Sequence, residues 1–297
     1  MAITNFKPTI WESAVQVPYD EALIYGQPSV ANRKYEGQIQ QQGDTVKVTT
    51  IGAPTIRKYV RGTPLVNEDL ADASITLTVS EADYFNFKVN DVDKVQAAGD
   101  FQGPATKSAG HGLATGVDTF LGTVLRDGVL AGNKLADATV VDGDPDKATA
   151  GQTSAYQVLV KLRERLDKNS VPTVGRFVVV NSEFISALLM DKRYTDLSSS
   201  GTQDPLWNGL VGRASGFNVL VSGNVPVVGG AGANKDYPVL IAGVPDALTA
   251  VNQINQVEAI RDPDDFADII RGLNVYGGKV FSPEALATAA VNIVAPS

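Results

Sequence analysis

The sequence contains no cysteine. Disulfides, thiolate metal sites and cysteine nucleophiles are excluded, and the redox compartment is left open. It contains one histidine, His111, set between glycines in AGHGLATG. A lone histidine is too few for most imidazole-based metal or proton-relay chemistry. Positive charge is in deficit, with 25 Lys and Arg against 33 Asp and Glu, a formal net charge of −8. Phosphate binding rests on Lys and Arg, so the chain is a poor general binder of nucleic acid and of anionic membrane surfaces. No stretch approaches the roughly 18 apolar residues of a membrane span. The opening MAITNFKPTIWES lacks the basic segment and apolar run of a signal peptide, which predicts synthesis in a cytoplasm and no membrane partner.

Motifs for catalysis are missing as well. There is no G-x-S-x-G and no H-E-x-x-H. The glycine-rich loop before Lys235 fails as a phosphate loop, because Asn234 and Asp236 flank the lysine where glycine and Ser or Thr are needed. Asp142, Asp144 and Asp146 have the first spacings of a calcium loop, but Lys147 and Thr153 hold its glycine and glutamate places. The neighbours Asp264 and Asp265 diverge on any regular element, so they read as a solvated face or an ion pair. The residues predict no catalytic site, no metal and no cofactor.

What is present is a chain of 297 residues with 43% hydrophobic content, enough for one large domain or two ordinary ones. Residues 1–40 read as an arm: Pro8, Pro18 and Pro28 discourage a long helix, and isolated large residues, Phe6 and Trp11 among them, suit an extended segment lying on another surface. Residues 44–89 read as a long β-hairpin from the alternation of Val46 and Val48, then Ile75, Leu77 and Val79, then Phe85, Phe87 and Val89. The stretch between its strands is basic at Arg57, Lys58 and Arg61, then acidic at Glu68, Asp69 and Asp72, which suggests a polarised tip that meets other subunits.

A helical segment is expected over 91–132, interrupted near Gly99 to Gly112. Its clear part carries Val117, Phe120, Leu121, Val124 and Leu125 on one stripe, with Asp118 in the first turn against the helix dipole and a stop at Gly128 to Gly132. Residues 137–153 read as a polar connection. A second amphipathic helix follows with Ala155, Val158, Leu159, Leu162 and Leu166 inward and Thr153 or Ser154 as its cap. FVVV at 177–180 reads as a buried strand, and Asn181-Ser182 caps a third helix. The C-terminal stretch reads as a strand, a bend at Gly277-Gly278 and a further apolar strand or short helix. This mixture predicts an α+β fold.

Residues 208–226, NGLVGRASGFNVLVSGNVP, form a glycine-punctuated turn followed by a period-two strand, Phe217, Val219 and Val221. The wording Gly212-Arg213-x-x-Gly216-Phe217-x-Val219-x-Val221-Ser222-x-Asn224-x-Pro226 closely resembles the axial-domain signature of tailed-bacteriophage major capsid proteins. The order of elements is that of the Hong Kong 97-type capsid fold, and the N-terminal opening and the YGGKV-x-x-Pro283-x-Ala285-Leu286 ending are similar to this class. The resemblance implies an N-terminal arm over 1–40 and an extended loop over 41–90. It implies a peripheral domain with a spine helix over 91–145, an axial domain over 146–256, and a return to the peripheral domain over 257–297. It further implies a structural protein that assembles with itself into pentamers and hexamers, forming an icosahedral shell around double-stranded DNA without sequence-specific binding. The implied partners are a separate scaffold protein and a portal, with a decoration protein optional. The implied place is the virion, after assembly in the bacterial cytoplasm. Phe6, Trp11, Arg57, Lys58, Arg61, Glu68, Asp69 and Asp72 are the expected intersubunit contacts. A bacterial nanocompartment shell of the same fold, enclosing protein cargo, is the alternative. A soluble enzyme is the reading from another class, and a monomer with a well-formed polar pocket would favour it.

Overall fold

The computed structural model describes residues 23–34, 45–51, 55–59, 61–62, 64, 67, 72–90, 102–141, 151–191, 194, 212–229 and 236–294. In chain order the elements are β1 (Thr45–Ile51), β2 (Asp72–Thr78), β3 (Glu81–Asn90), α1 (Gln102–Gly128), β4 (Lys134–Val141), β5 (Gln152–Thr153), α2 (Ala155–Lys168), β6 (Phe177–Val180) and α3 (Ser182–Met190). They continue with β7 (Arg213–Ala214), β8 (Phe217–Val221), β9 (Val227–Gly229), β10 (Asp236–Gly243), β11 (Leu248–Arg261), β12 (Ala267–Val280) and β13 (Leu286–Val294). The α+β class expected from the sequence holds.

β1 and β2 form the hairpin, Thr45 opposite Thr78 and Ile51 opposite Asp72. The hairpin ends earlier than the alternation suggested. β3 leaves it and pairs antiparallel with β12, giving a three-stranded sheet in the order β11–β12–β3. Period two identifies a strand but not its partner, so the alternation ran on unbroken across the change of sheet. A small core of Leu77, Val79, Val251 and Val275 pins the hairpin root to this sheet. An isolated two-stranded hairpin is marginal in water, and this anchorage supplies the missing third layer.

α1 runs unbroken through Gly110 and Gly112, within the stretch from Gly99 to Gly112 where an interruption was expected. Its 27 residues give a rod of about 40 Å. Packing outweighs the poor propensity of glycine here, since Val117, Leu121 and Leu125 are buried and Phe120 stacks edge-on against Tyr276 at 5.3 Å between ring centroids. The early start also moves Asp118 out of the first turn into the middle of the helix, where it is buried.

β12 continues straight through Gly277-Gly278 where a bend was expected. The glycines serve close approach: a Cβ on Gly277 would stand 3.0 Å from the Thr78 carbonyl oxygen, so glycine here lets the hairpin backbone lie close against this strand.

The third sheet has eight strands, in the order β5–β4–β13–β10–β6–β8–β7 with β9 on β10. β13 is antiparallel to β10 and parallel to β4, and β6 is parallel to β8. β13 therefore lies in the same sheet as the strands between 134 and 243, and residue 256 falls within β11. The polar connection likewise begins inside β4. α2 covers this sheet with Ala155, Val158, Leu159, Leu162 and Leu166, all buried. Ser154 caps it with a full capping box, its hydroxyl accepting from the Gln157 amide at 3.2 Å. Asn181 caps α3 by accepting from the Phe184 amide at 3.1 Å. The turn between β7 and β8 consists of Ser215 at φ 51° and Gly216 at φ 84°, the paired left-handed residues of a two-residue hairpin turn.

Candidate intersubunit surfaces

Four places on the described residues are candidates for contact with other copies: the root of the N-terminal segment, the loop beyond β1, the tip of the β11–β12 hairpin, and the outer face of the three-stranded sheet. The root is residues 23–34. Tyr25, Val30 and Ala31 are buried in the main core. The Asn32 amide donates to the Leu248 carbonyl at 2.8 Å and the Ala250 amide donates to the Asn32 carbonyl at 3.0 Å, so the segment extends the sheet beside β11. Asp118 holds the other end. One carboxylate oxygen accepts from the Ile24 amide at 2.9 Å and the Tyr25 amide at 2.6 Å; the other accepts from Asn224 Nδ2 at 3.3 Å and Ser222 Oγ at 3.5 Å. Burial pushes this carboxyl above its ordinary value, against the hydrogen bonds from Tyr25, Asn224 and Ile24 that pull it down. Burial, then the Asp118 charge, pushes the Tyr25 hydroxyl up. The Tyr25 ring fits because position 122 is glycine, where a Cβ would come within 3.1 Å of the ring.

Beyond β1, residues 55–59 are exposed. Ile56 is 96% and Tyr59 74% accessible, beside the exposed Arg57 and Lys58, with Arg61 exposed just after them. Asp72 opens β2 opposite Ile51. Phe6, Trp11, Glu68 and Asp69 lie outside the described residues. The basic half of the expected contact set is thus displayed to solvent, together with two large apolar side chains that a charge-based reading passed over.

The β11–β12 tip, Asp262 to Phe266, carries the acidic run. Lys88 of β3 binds Asp262 at 2.6 Å and Asp265 at 2.9 Å, and Arg261 binds Asp268 at 3.1 Å. Asp265 is the ion-pair partner that the sequence suggested. The Lys88 hydrogen bond is the main cause holding the Asp262 and Asp265 carboxyls below their ordinary value, and the same bonds raise Lys88. Phe266 is 75% accessible at this tip. On the outer face of the sheet, Tyr84 and Leu273 sit opposite each other and are both exposed. Alternation of Phe85 and Phe87 hinted at one buried face of β3, but nothing in the sequence revealed that Tyr84 and Leu273 would be neighbours.

Among the described residues no group of three or more His, Asp or Glu could hold a metal ion, and no helix is long and apolar enough to cross a membrane. His111 lies half-buried on α1.

The described residues thus combine a three-stranded and an eight-stranded sheet, a long helix, a hairpin rooted on the smaller sheet, and a segment over 23–34 buried in the main core. The family model for phage capsid proteins matches residues 74–289. The chain belongs to the phage capsid protein family. A solved structure from Mycobacterium phage Che8 shares 30% identity, covering 97% of this chain and 98% of that one, with a TM-score of 0.75. The capsid structure of cyanophage P-SCSP1u matches at 13% identity over 99% and 95%, TM-score 0.73, and the mature capsid of bacteriophage PhiM1 at 16% over 88% and 87%, TM-score 0.63. At these identities the last two show the shared fold alone. No curated protein matches the chain. The chain is a major capsid protein, a structural component of the virion shell, and the nanocompartment alternative is not favoured.

Proposed function

We propose that this chain assembles into pentamers and hexamers that close into an icosahedral shell around phage double-stranded DNA, and that it carries no enzymatic activity. The observation that carries the contact scheme is the loop beyond β1, where Ile56 and Tyr59 stand exposed among Arg57, Lys58 and Arg61. Exposed large apolar groups ringed by charge mark association surfaces. In this reading residues 1–40 are the arm, with Phe6 and Trp11 resting on a neighbour. Residues 41–90 are the extended loop, with Glu68, Asp69 and Asp72 completing its polarised tip. Residues 91–145 and 257–297 serve the peripheral domain and 146–256 the axial domain. Heterologous contacts of this kind close into rings around rotation axes, and many weak contacts sum through multivalency. A scaffold protein and a portal act as assembly partners in the host cytoplasm, and a decoration protein is optional. The net charge of −8 suits a container that holds DNA without gripping it.

The test is charge reversal at Arg57, Lys58 and Arg61 together. The expected outcome is a subunit with an unchanged melting profile that no longer forms shells under conditions where the parent does. Shell formation at parental yield would remove the loop from the contact scheme.

A further inference from the structure

We infer that Asp118 is a positioning residue that couples the root of the N-terminal arm to the Ser222–Asn224 turn, so that neither can shift without the other. The two segments are about a hundred residues or more from α1 or from each other in sequence, and they meet on the two oxygens of one carboxylate. Oδ1 takes the Ile24 and Tyr25 amides, at 2.9 and 2.6 Å; Oδ2 takes Asn224 Nδ2 and Ser222 Oγ, at 3.3 and 3.5 Å. The turn is itself braced on Oδ2's partner, since the Asn224 amide donates to Ser222 Oγ at 3.1 Å and the Ser222 amide donates to the Val180 carbonyl at 3.0 Å. Asp118 is 1% exposed.

All of these donors are neutral. A buried carboxylate satisfied only by neutral donors depends on keeping every one of them, because losing one leaves charge uncompensated away from water. If the turn moves off Oδ2, the carboxylate gains by rotating toward whatever donors remain, and the tightly held amides of residues 24 and 25 lose their alignment. The reverse holds if the arm root lifts. Rigid surroundings transmit this, since α1 is buried along Val117, Leu121 and Leu125 and cannot swing to compensate. The turn leads directly into β9 and the root follows residues 1–22 in sequence, so one carboxylate relates two segments that lie far apart along the chain.

The coupling is local and stands apart from the arm's role in the shell; its consequence for assembly rests on the reading that residues 1–40 contact a neighbour. Hydrogen exchange on the unassembled full chain separates the two. In Asn224→Ala the shorter of the two Oδ2 hydrogen bonds is gone, leaving Ser222 Oγ at 3.5 Å, and neither Asp118 nor residues 23–34 have been altered. The amides of Ile24 and Tyr25 are expected to exchange about tenfold faster, with α2 unchanged. Asp118→Asn keeps an acceptor for the arm amides but sets its own NH2 against that of Asn224, donor facing donor, so both segments should exchange faster. The double variant Asp118→Asn with Asn224→Asp restores a donor–acceptor pair, and protection should return at both places. Root amides that keep parental exchange in Asn224→Ala, or a double variant no better than Asp118→Asn alone, would overturn the coupling. If Asp118→Asn does not fold, the Asn224→Ala exchange decides alone. With the coupling confirmed, shell yield in Asn224→Ala then reads the arm's role: a lower yield supports it, and a parental yield leaves the coupling standing while counting against the arm as a shell contact.

Discussion

At the residue scale, the two carboxylate clusters respond to acid with opposite sign. Asp118 has its folded-state value raised by burial, so the native state holds this proton more tightly than the unfolded chain. Its contribution to stability is full below the unfolded carboxyl pKa and is lost as pH rises through the raised value. Asp262 and Asp265 are lowered by Lys88, so their contribution is present above the unfolded carboxyl pKa and is lost as pH falls through the depressed values. Chemical denaturation of the unassembled subunit across roughly pH 3 to 7 should show both arms. Asp118→Asn should flatten only the first and Lys88→Met only the second. The second should also shrink in high salt, because this cluster is open to solvent. A Lys88→Met variant with the parental acid limb would contradict the assignment. Gly122→Val offers a further residue-scale check: the branched side chain meets the Tyr25 ring, and the subunit should lose about 1–3 kcal/mol in the same measurement.

At the scale of elements, Leu162→Ala in α2 should remove about 2–5 kcal/mol, measured by denaturant unfolding, because Leu162 is fully buried against the eight-stranded sheet. α2 was also the element most legible in the sequence. Its five inward residues, its serine cap and its glutamine three residues on all agree with one another, so local and global preferences coincide. α1 was half legible. The stripe from Val117 to Leu125 was plain, but Gly110 and Gly112 argued for a break that packing against β12 and β3 prevents, and with the start misplaced Asp118 looked like a dipole partner instead of a buried hub. The strands were legible as strands and not as sheets: nothing in Phe85 or Phe87 says that β3 pairs with β12, and nothing in Leu286 to Val294 says that β13 lies between β4 and β10. Partner choice is set by contacts distant in sequence, which period two does not encode. The contact residues divide the same way. Arg57, Lys58 and Arg61 stood out by charge, whereas Ile56, Tyr59 and Phe266 become notable only once their exposure is known.

At the scale of the whole molecule, the described residues bury one extended core and a smaller one under the hairpin root, and leave large apolar groups exposed at the hairpin loop and at the β11–β12 tip. Ile56, Tyr59, Tyr84 and Phe266 stand exposed on a chain of the phage capsid protein family, and the proposal made above is that neighbouring copies in a shell cover such groups. The measurement that tests this most directly is electron microscopy of the purified full chain, with its size distribution in solution recorded alongside. Closed icosahedral shells, or free pentamers and hexamers, are the expected species. A stable monomer that forms neither, even with a candidate scaffold protein supplied, would contradict the account.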